Sequence, residues 1–146
     1  MRNNLYLLLL GSLLLVTPLA AEKKVIVPPE FAGGQANFSS GILVDGTLYV
    51  SGQIGQDLKT KQVPADFETE VKTLLSNIGI VLKAGGMTYK DVVSVQVYLT
   101  DMDLFPRMNA VYTTFFPDPR PTRTTVGVTK LAAAAAHIEI TVTARK

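Results

Sequence analysis

Ile42-Leu43-Val44-Asp45-Gly46-Thr47-Leu48-Tyr49-Val50-Ser51 is the stretch on which the fold turns. Two runs rich in β-branched and aromatic residues flank an Asp-Gly pair, and that pair supplies the positive φ angles of a tight two-residue connection, so the stretch predicts a β-hairpin. Upstream, residues 22–40 are broken by Pro28-Pro29 and Gly33-Gly34 and read as a loop or a sheet edge. Downstream, a polar loop containing Pro64 leads into a predicted helix over residues 65–84, where Phe67, Val71, Leu74, Leu75, Ile78 and Leu82 recur at three- and four-residue spacing. Gly85-Gly86 ends it, because glycine enters the left-handed region without a Cβ penalty. Residues 92–99 alternate, with Val93, Val95, Val97 and Leu99 on one side and Ser94, Gln96 and Tyr98 on the other, which predicts a strand buried more on one face.

A second helix is expected over residues 104–116, capped by Asp103, with Pro106 in its first turn and Leu104, Met108, Val111, Tyr112 and Phe115 as its apolar stripe. Pro117-Asp118-Pro119-Arg120-Pro121 is too proline-rich for either regular element and feeds a strand over residues 123–128. Residues 131–136 form a connector too short for a stable helix, and a last strand is expected over residues 137–144. The order hairpin, helix, strand, helix, strand, strand defines an α+β domain with a mixed sheet and both helices on one face. Apolar positions left on the other face favour burial against further copies of the chain, so a homo-oligomer is expected.

The chain has 146 residues and is 47% hydrophobic, enough for one core without disulfides or metal. It contains no cysteine, which excludes thiolate nucleophiles and Cys-ligated zinc. Residues 1–21 read as a signal peptide rather than as structure: Arg2 is the basic start, residues 5–16 the apolar run, and Thr17-Pro18-Leu19-Ala20-Ala21 the processing region before Glu22. Residues 22–146 are then the folded domain, exported to the periplasm or secreted, with no stable membrane insertion expected once the leader is removed. An uncleaved anchor is the alternative; against it, Gly11, Ser12, Thr17 and Pro18 interrupt a run shorter than a spanning helix needs. Without the leader, which carries one Arg and no acid, the formal charge falls from +2 to +1. That balance offers no footprint for nucleic acid.

No phosphate-cradling glycine pattern and no metal-ligand cluster occur, and there is a single histidine. Two ionic residues stand out because they lie in segments otherwise suited to burial: Arg123, opening a strand after a rigid loop, and Glu139, within His137-Ile138-Glu139-Ile140-Thr141-Val142. A planar guanidinium there can grip a carboxylate through two hydrogen bonds, and a partly desolvated Glu can take a proton from water. The commoner role for an Arg and a Glu on neighbouring strands is a structural ion pair or an exposed face. For His137, the single histidine, two residues from Glu139, a structural or surface role is favoured over catalysis. Asn109 divides evenly between a surface position and a polar contact beside a ligand.

Around these residues the sequence resembles the RidA/YjgF family. The matching stretches are Leu48-Tyr49-Val50-Ser51-Gly52-Gln53-Ile54, Val81-Leu82-Lys83-Ala84-Gly85-Gly86, the run Asp91 to Met102, Met108-Asn109-Ala110-Val111-Tyr112 with Phe115-Phe116, Arg120-Pro121-Thr122-Arg123-Thr124-Thr125-Val126, and Ile138-Glu139-Ile140. The resemblance implies a chorismate-mutase-like fold, a homotrimer with its sheets around a central barrel, and ligand sites between subunits. It also implies hydrolytic deamination of 2-imino or enamine acids, such as 2-iminobutanoate and 2-iminopropanoate, to 2-keto acids and ammonia, with no cofactor and no metal. By position, Arg123 would clamp the substrate carboxylate, Glu139 would orient or activate water, and Gly52, Thr125, Asn109 and Phe38 would hold the ligand. The alternatives are a non-catalytic binder of small carboxylates or keto acids and, more remotely, an endoribonuclease. One departure bears on the site: the family segment Gly-Pro-Tyr-Ser reads Ala36-Asn37-Phe38-Ser39 here, so a ring without a hydroxyl stands where the family has tyrosine.

Overall fold

The computed structural model describes residues 22–31 and 37–146. The leader assigned to residues 1–21 lies outside them, as does Ala36. Six strands form one sheet in the order β1-β2-β3-β6-β4-β5. They are β1 (Lys24–Ile26), β2 (Gly41–Val44), β3 (Thr47–Ile54), β4 (Val92–Leu99), β5 (Thr122–Gly127) and β6 (Ile138–Arg145). All pairings are antiparallel except β4 with β5, so the sheet is mixed, as expected. The hairpin turn is where the Asp-Gly pair predicts it, with φ of 49° at Asp45 and 70° at Gly46. Among the described residues before β2, the chain forms the short edge strand β1 and a 3-10 turn, Pro29–Phe31.

Helix α1 (Phe67–Ala84) begins two residues later than its apolar pattern predicts, because Asp66 caps it, accepting from Thr69 N at 2.9 Å and Thr69 Oγ1 at 2.6 Å. Helix α2 (Phe105–Phe115) connects the parallel pair β4 and β5. The cap expected at Asp103 is not made: the N-cap position of α2 is Leu104, which makes no side-chain cap bond, and Asp101 caps the short 3-10 turn before it, Met102–Leu104, accepting from Asp103 N at 2.8 Å. Phe116, expected as the last helical residue, is the fully buried residue that follows the helix. The chain over 131–136 makes turns only.

Both helices cover one face of the sheet. The sheet residues beneath them include Leu48, Val50, Val95, Val97, Leu99, Ile138, Ile140 and Val142, packed with Leu74, Ile78 and Leu82 of α1 and Met108 of α2. Val93 departs from its expected place in this face. The β4–β6 register shifts between Val92 and Ser94, so Val92 turns inward and Val93 is 48% exposed. The uncovered face presents Ser94, Gln96, Tyr98, Thr122, Thr124, Val126, Glu139 and Thr141, which is richer in threonine and less apolar than the alternation argument assumed.

Candidate functional site

Arg123 and Thr125 face the helices, because in the parallel ladder they stand beside Val95 and Val97, both core residues. The Arg123 guanidinium carbon lies 4.6 Å from the centre of the Tyr112 ring and 5.5 Å from that of Phe105, both on α2. Two aromatic faces thus hold a half-buried cation by its delocalised plane and leave its N–H fork available. Among the described residues, no carboxylate lies within salt-bridge distance of it, whereas Arg107 and Arg120 are paired with Glu68 and Asp118. Among the described residues, two buried hydroxyls, Tyr112 Oη and Thr125 Oγ1, have no hydrogen-bond partner. Both lie on the elements that frame Arg123, and buried polar atoms without partners are uncommon. Burial raises the Tyr112 phenol above its ordinary pKa, with the Arg123 cation opposing the shift. Asn109 is half-buried, at the helical spacing that places it between Phe105 and Tyr112 on α2.

Glu139 belongs to the other face. It alternates with Ile138 and Ile140, both fully buried, and stands opposite Tyr98 on β4 and Ile54 on β3. The β3–β6 register shifts between Val50 and Gln53, and this irregularity lays Gly52 against the Glu139 side chain. A Cβ at Gly52 would lie 1.9 Å from Glu139 Oε1, so only glycine leaves room for the carboxyl group. Burial raises the Glu139 pKa above its ordinary value, and among the described residues no hydrogen bond or ion pair opposes that shift. Close by, Ser51 Oγ donates to Ser39 O at 2.6 Å and Ser51 N to Ser40 O at 3.0 Å, tying the segment that carries Phe38 to β3. Phe38 and Gly52 line a cavity of about 190 Å³ with Gln53, Lys61 and Asn77.

The residues singled out in the sequence therefore fall into two groups. Arg123, Thr125 and Asn109 lie together on the helix side, while Glu139, Gly52 and Phe38 lie together at the open face and the far end of β3. The expectation that Arg123 and Glu139 sit on neighbouring strands does not hold: β4 separates β5 from β6, and the two side chains leave the sheet on opposite faces. A structural ion pair between them within one chain is thereby excluded. His137 is structural, as favoured, though its partner was not foreseen: its backbone N and ring Nδ1 both meet the fully buried Glu70. Two further residues escaped the sequence reading. Tyr112 was assigned to the apolar stripe, although its hydroxyl gives it a second role. Glu70 falls at the three-to-four spacing of Phe67, Val71 and Leu74, a signal that would have shown it to be buried. Among the described residues, no three His, Asp or Glu side chains gather into a group able to hold a metal, and no helix is long and apolar enough to cross a membrane.

A guanidinium seated on two aromatic rings and a carboxyl group raised in pKa by burial lie on opposite faces of a mixed sheet backed by two helices, in a small α+β protein. The chain belongs to the RidA/YjgF family: the family model described as Endoribonuclease L-PSP matches residues 32–146. Among its relatives, the 2-iminobutanoate/2-iminopropanoate deaminase of Rattus norvegicus is 38% identical over 110 residues, covering 75% of this chain and 80% of that protein. A RutC family protein of Sulfurisphaera tokodaii is 41% identical over 95 residues, covering 64% of this chain and 76% of the relative. Solved structures agree. RidA from an Antarctic Psychrobacter superposes with a TM-score of 0.78 at 27% identity, covering 84% of this chain and all of that one (100%). Escherichia coli TdcF with bound serine superposes with a TM-score of 0.77 at 28% identity, covering 84% and 98%.

Proposed function

We propose that the protein hydrolyses small 2-imino acids, of the 2-iminopropanoate and 2-iminobutanoate type, to 2-keto acids and ammonia. The observation that carries this reading is the Arg123 guanidinium, seated on two aromatic rings with no acid among the described residues to neutralise it. Such a fork suits a substrate carboxylate, held by two charge-assisted hydrogen bonds. An imine beside a carboxylate is already electrophilic, so the protein's part is to place water and manage protons. Glu139 takes a proton from water as the oxygen bonds to the imine carbon. It passes that proton to the imine nitrogen, giving the amino alcohol, then takes the hydroxyl proton and delivers it to nitrogen as the C–N bond breaks and the C=O bond forms, leaving keto acid and ammonia. Each imine consumes one water, and neither redox change nor cofactor enters the balance. Deaminase names among the relatives support the same reading.

Because the two groups occupy opposite faces of one sheet, the proposed site requires two chains, Arg123, Thr125 and Asn109 from one and Glu139, Gly52 and Phe38 from the next. Three copies with their uncovered faces around a central barrel are the proposed assembly. Residues 1–21 are proposed to direct export, so that the mature domain works in the periplasm or outside the cell. The deciding assay generates 2-iminopropanoate or 2-iminobutanoate in situ and follows keto-acid release. Acceleration by the wild-type protein, lost in Arg123→Ala and Glu139→Ala, supports hydrolysis, and no acceleration by the wild type removes it. One observation favours a second reading, a carboxylate binder without turnover: Phe38 is 56% exposed and lacks the hydroxyl of the family tyrosine. Keto-acid binding that depends on Arg123, without imine turnover, would select it.

A further inference from the structure

Among the described residues no donor bonds to the Glu139 side chain, so its position is set by the backbone of β6 and by Gly52 pressed against it. The start of β6 is fixed with unusual force two residues earlier. His137 N donates to Glu70 Oε1 at 2.7 Å, and the His137 ring meets Glu70 Oε2 through Nδ1 at 2.8 Å. On its other side, His137 O accepts from Thr100 N at 3.0 Å. The carboxyl that makes these bonds is fully buried, on the first turn of α1. Gly55 lies flush against the same residue: a Cβ there would sit 2.3 Å from Glu70 O and 2.4 Å from Glu70 Cγ. Gly55 follows Ile54, the β3 partner of Glu139. Glu70 therefore meets the residue just before β6 and the residue just after β3, each within a few residues of the Glu139–Gly52 contact.

An apolar side chain would fill this space at lower desolvation cost, since burying a carboxylate is expensive even when it is fully hydrogen-bonded. What the carboxylate adds is direction: two acceptor oxygens fix one backbone amide and one ring in a single geometry. We propose that Glu70 is a positioning residue for Glu139, anchoring the entry of β6 and the exit of β3 from behind the sheet; the inference rests on the deaminase reading given above.

The test compares Glu70→Met, which keeps the volume and loses the acceptors, with Glu70→Gln, which keeps an acceptor for His137 N–H. In the imine assay Glu70→Met is expected to lower kcat about tenfold, since sub-ångström displacements at a reacting group carry costs of that order. KM stays within about twofold, because the Arg123 clamp is untouched, and Glu70→Gln stays within about threefold of wild type. Should Glu70→Met fail to fold, Gly55→Ala, which pushes Glu70 from its other side, is expected to show the same split. An NMR titration of the Glu139 carboxyl carbon reads position without turnover: its raised pKa is expected to move back toward the ordinary value in Glu70→Met. A folded Glu70→Met with unchanged kcat and unchanged Glu139 titration overturns the inference. If the wild-type protein does not turn over imine at all, the deaminase reading fails, and the titration alone decides whether Glu70 places Glu139.

Discussion

Arg123 keeps its charge without an acid to balance it because two aromatic faces and a half-buried setting hold the guanidinium while leaving its donors free. Arg123→Ala is expected to raise KM about 100-fold, the loss of charge-assisted hydrogen bonds worth about 1.5–3 kcal/mol, with little change in melting temperature. Arg123→Lys recovers little, since an ammonium has neither the fork nor the flat surface that Tyr112 receives. Glu139 carries the opposite signature. Its folded pKa is raised by burial, so its ionised form costs stability once the pH rises through that pKa, and below the ordinary carboxylate range the cost vanishes. Glu139→Gln is therefore expected to lower kcat about 100-fold or more while melting slightly above wild type at neutral pH, with the gain disappearing in acid. The same pKa places the acid limb of the kcat profile above the pH at which an ordinary glutamate titrates. Both residues were legible in the sequence as charges in apolar runs. Their surroundings were not, because the Tyr112 platform depends on how α2 packs over β5, and Glu70 hides among the residues that space it into the core.

At the scale of elements, periodicity located both helices and the strands of the sheet, whereas their ends followed local hydrogen bonds that spacing alone does not reveal. Asp103, expected to cap α2, does not: Asp101 caps the preceding 3-10 turn by accepting from Asp103 N, and α2 starts after Leu104 with no side-chain cap. Val93 shows a different limit: its pattern is regular within β4, but the register of β6 inserts a bulge that turns it outward. The Asp66 cap gives a direct check on α1. Thr69, through its hydroxyl and its backbone amide, lowers the Asp66 pKa, so the cap stabilises the helix above the ordinary carboxylate pKa of 3.8 and fades as the pH falls through the lowered value. Asp66→Ala is expected to lower the melting temperature at pH 7, and the deficit should shrink toward zero in strong acid. A deficit that stays constant with pH would assign the effect to something other than the ionised cap.

On the scale of the whole molecule, Arg123 and Glu139 lie on strands consecutive in the sequence, and the family resemblance implies ligand sites between subunits. The strand order separates the two residues within one chain, because β4 lies between them and they emerge on opposite faces. Sequence spacing carries no information on this point, since the order in which strands pair is decided by the long connections. The central claim is that one chain's Arg123 works with another chain's Glu139. Its most direct test mixes Arg123→Ala and Glu139→Ala chains, each inactive alone, after unfolding and joint refolding. In a cyclic trimer every mixed assembly has one interface with both wild-type groups, so an equal random mixture is predicted to regain about a quarter of the wild-type imine hydrolysis. A mixture as inactive as its two components, with mixed trimers present, would contradict the shared site.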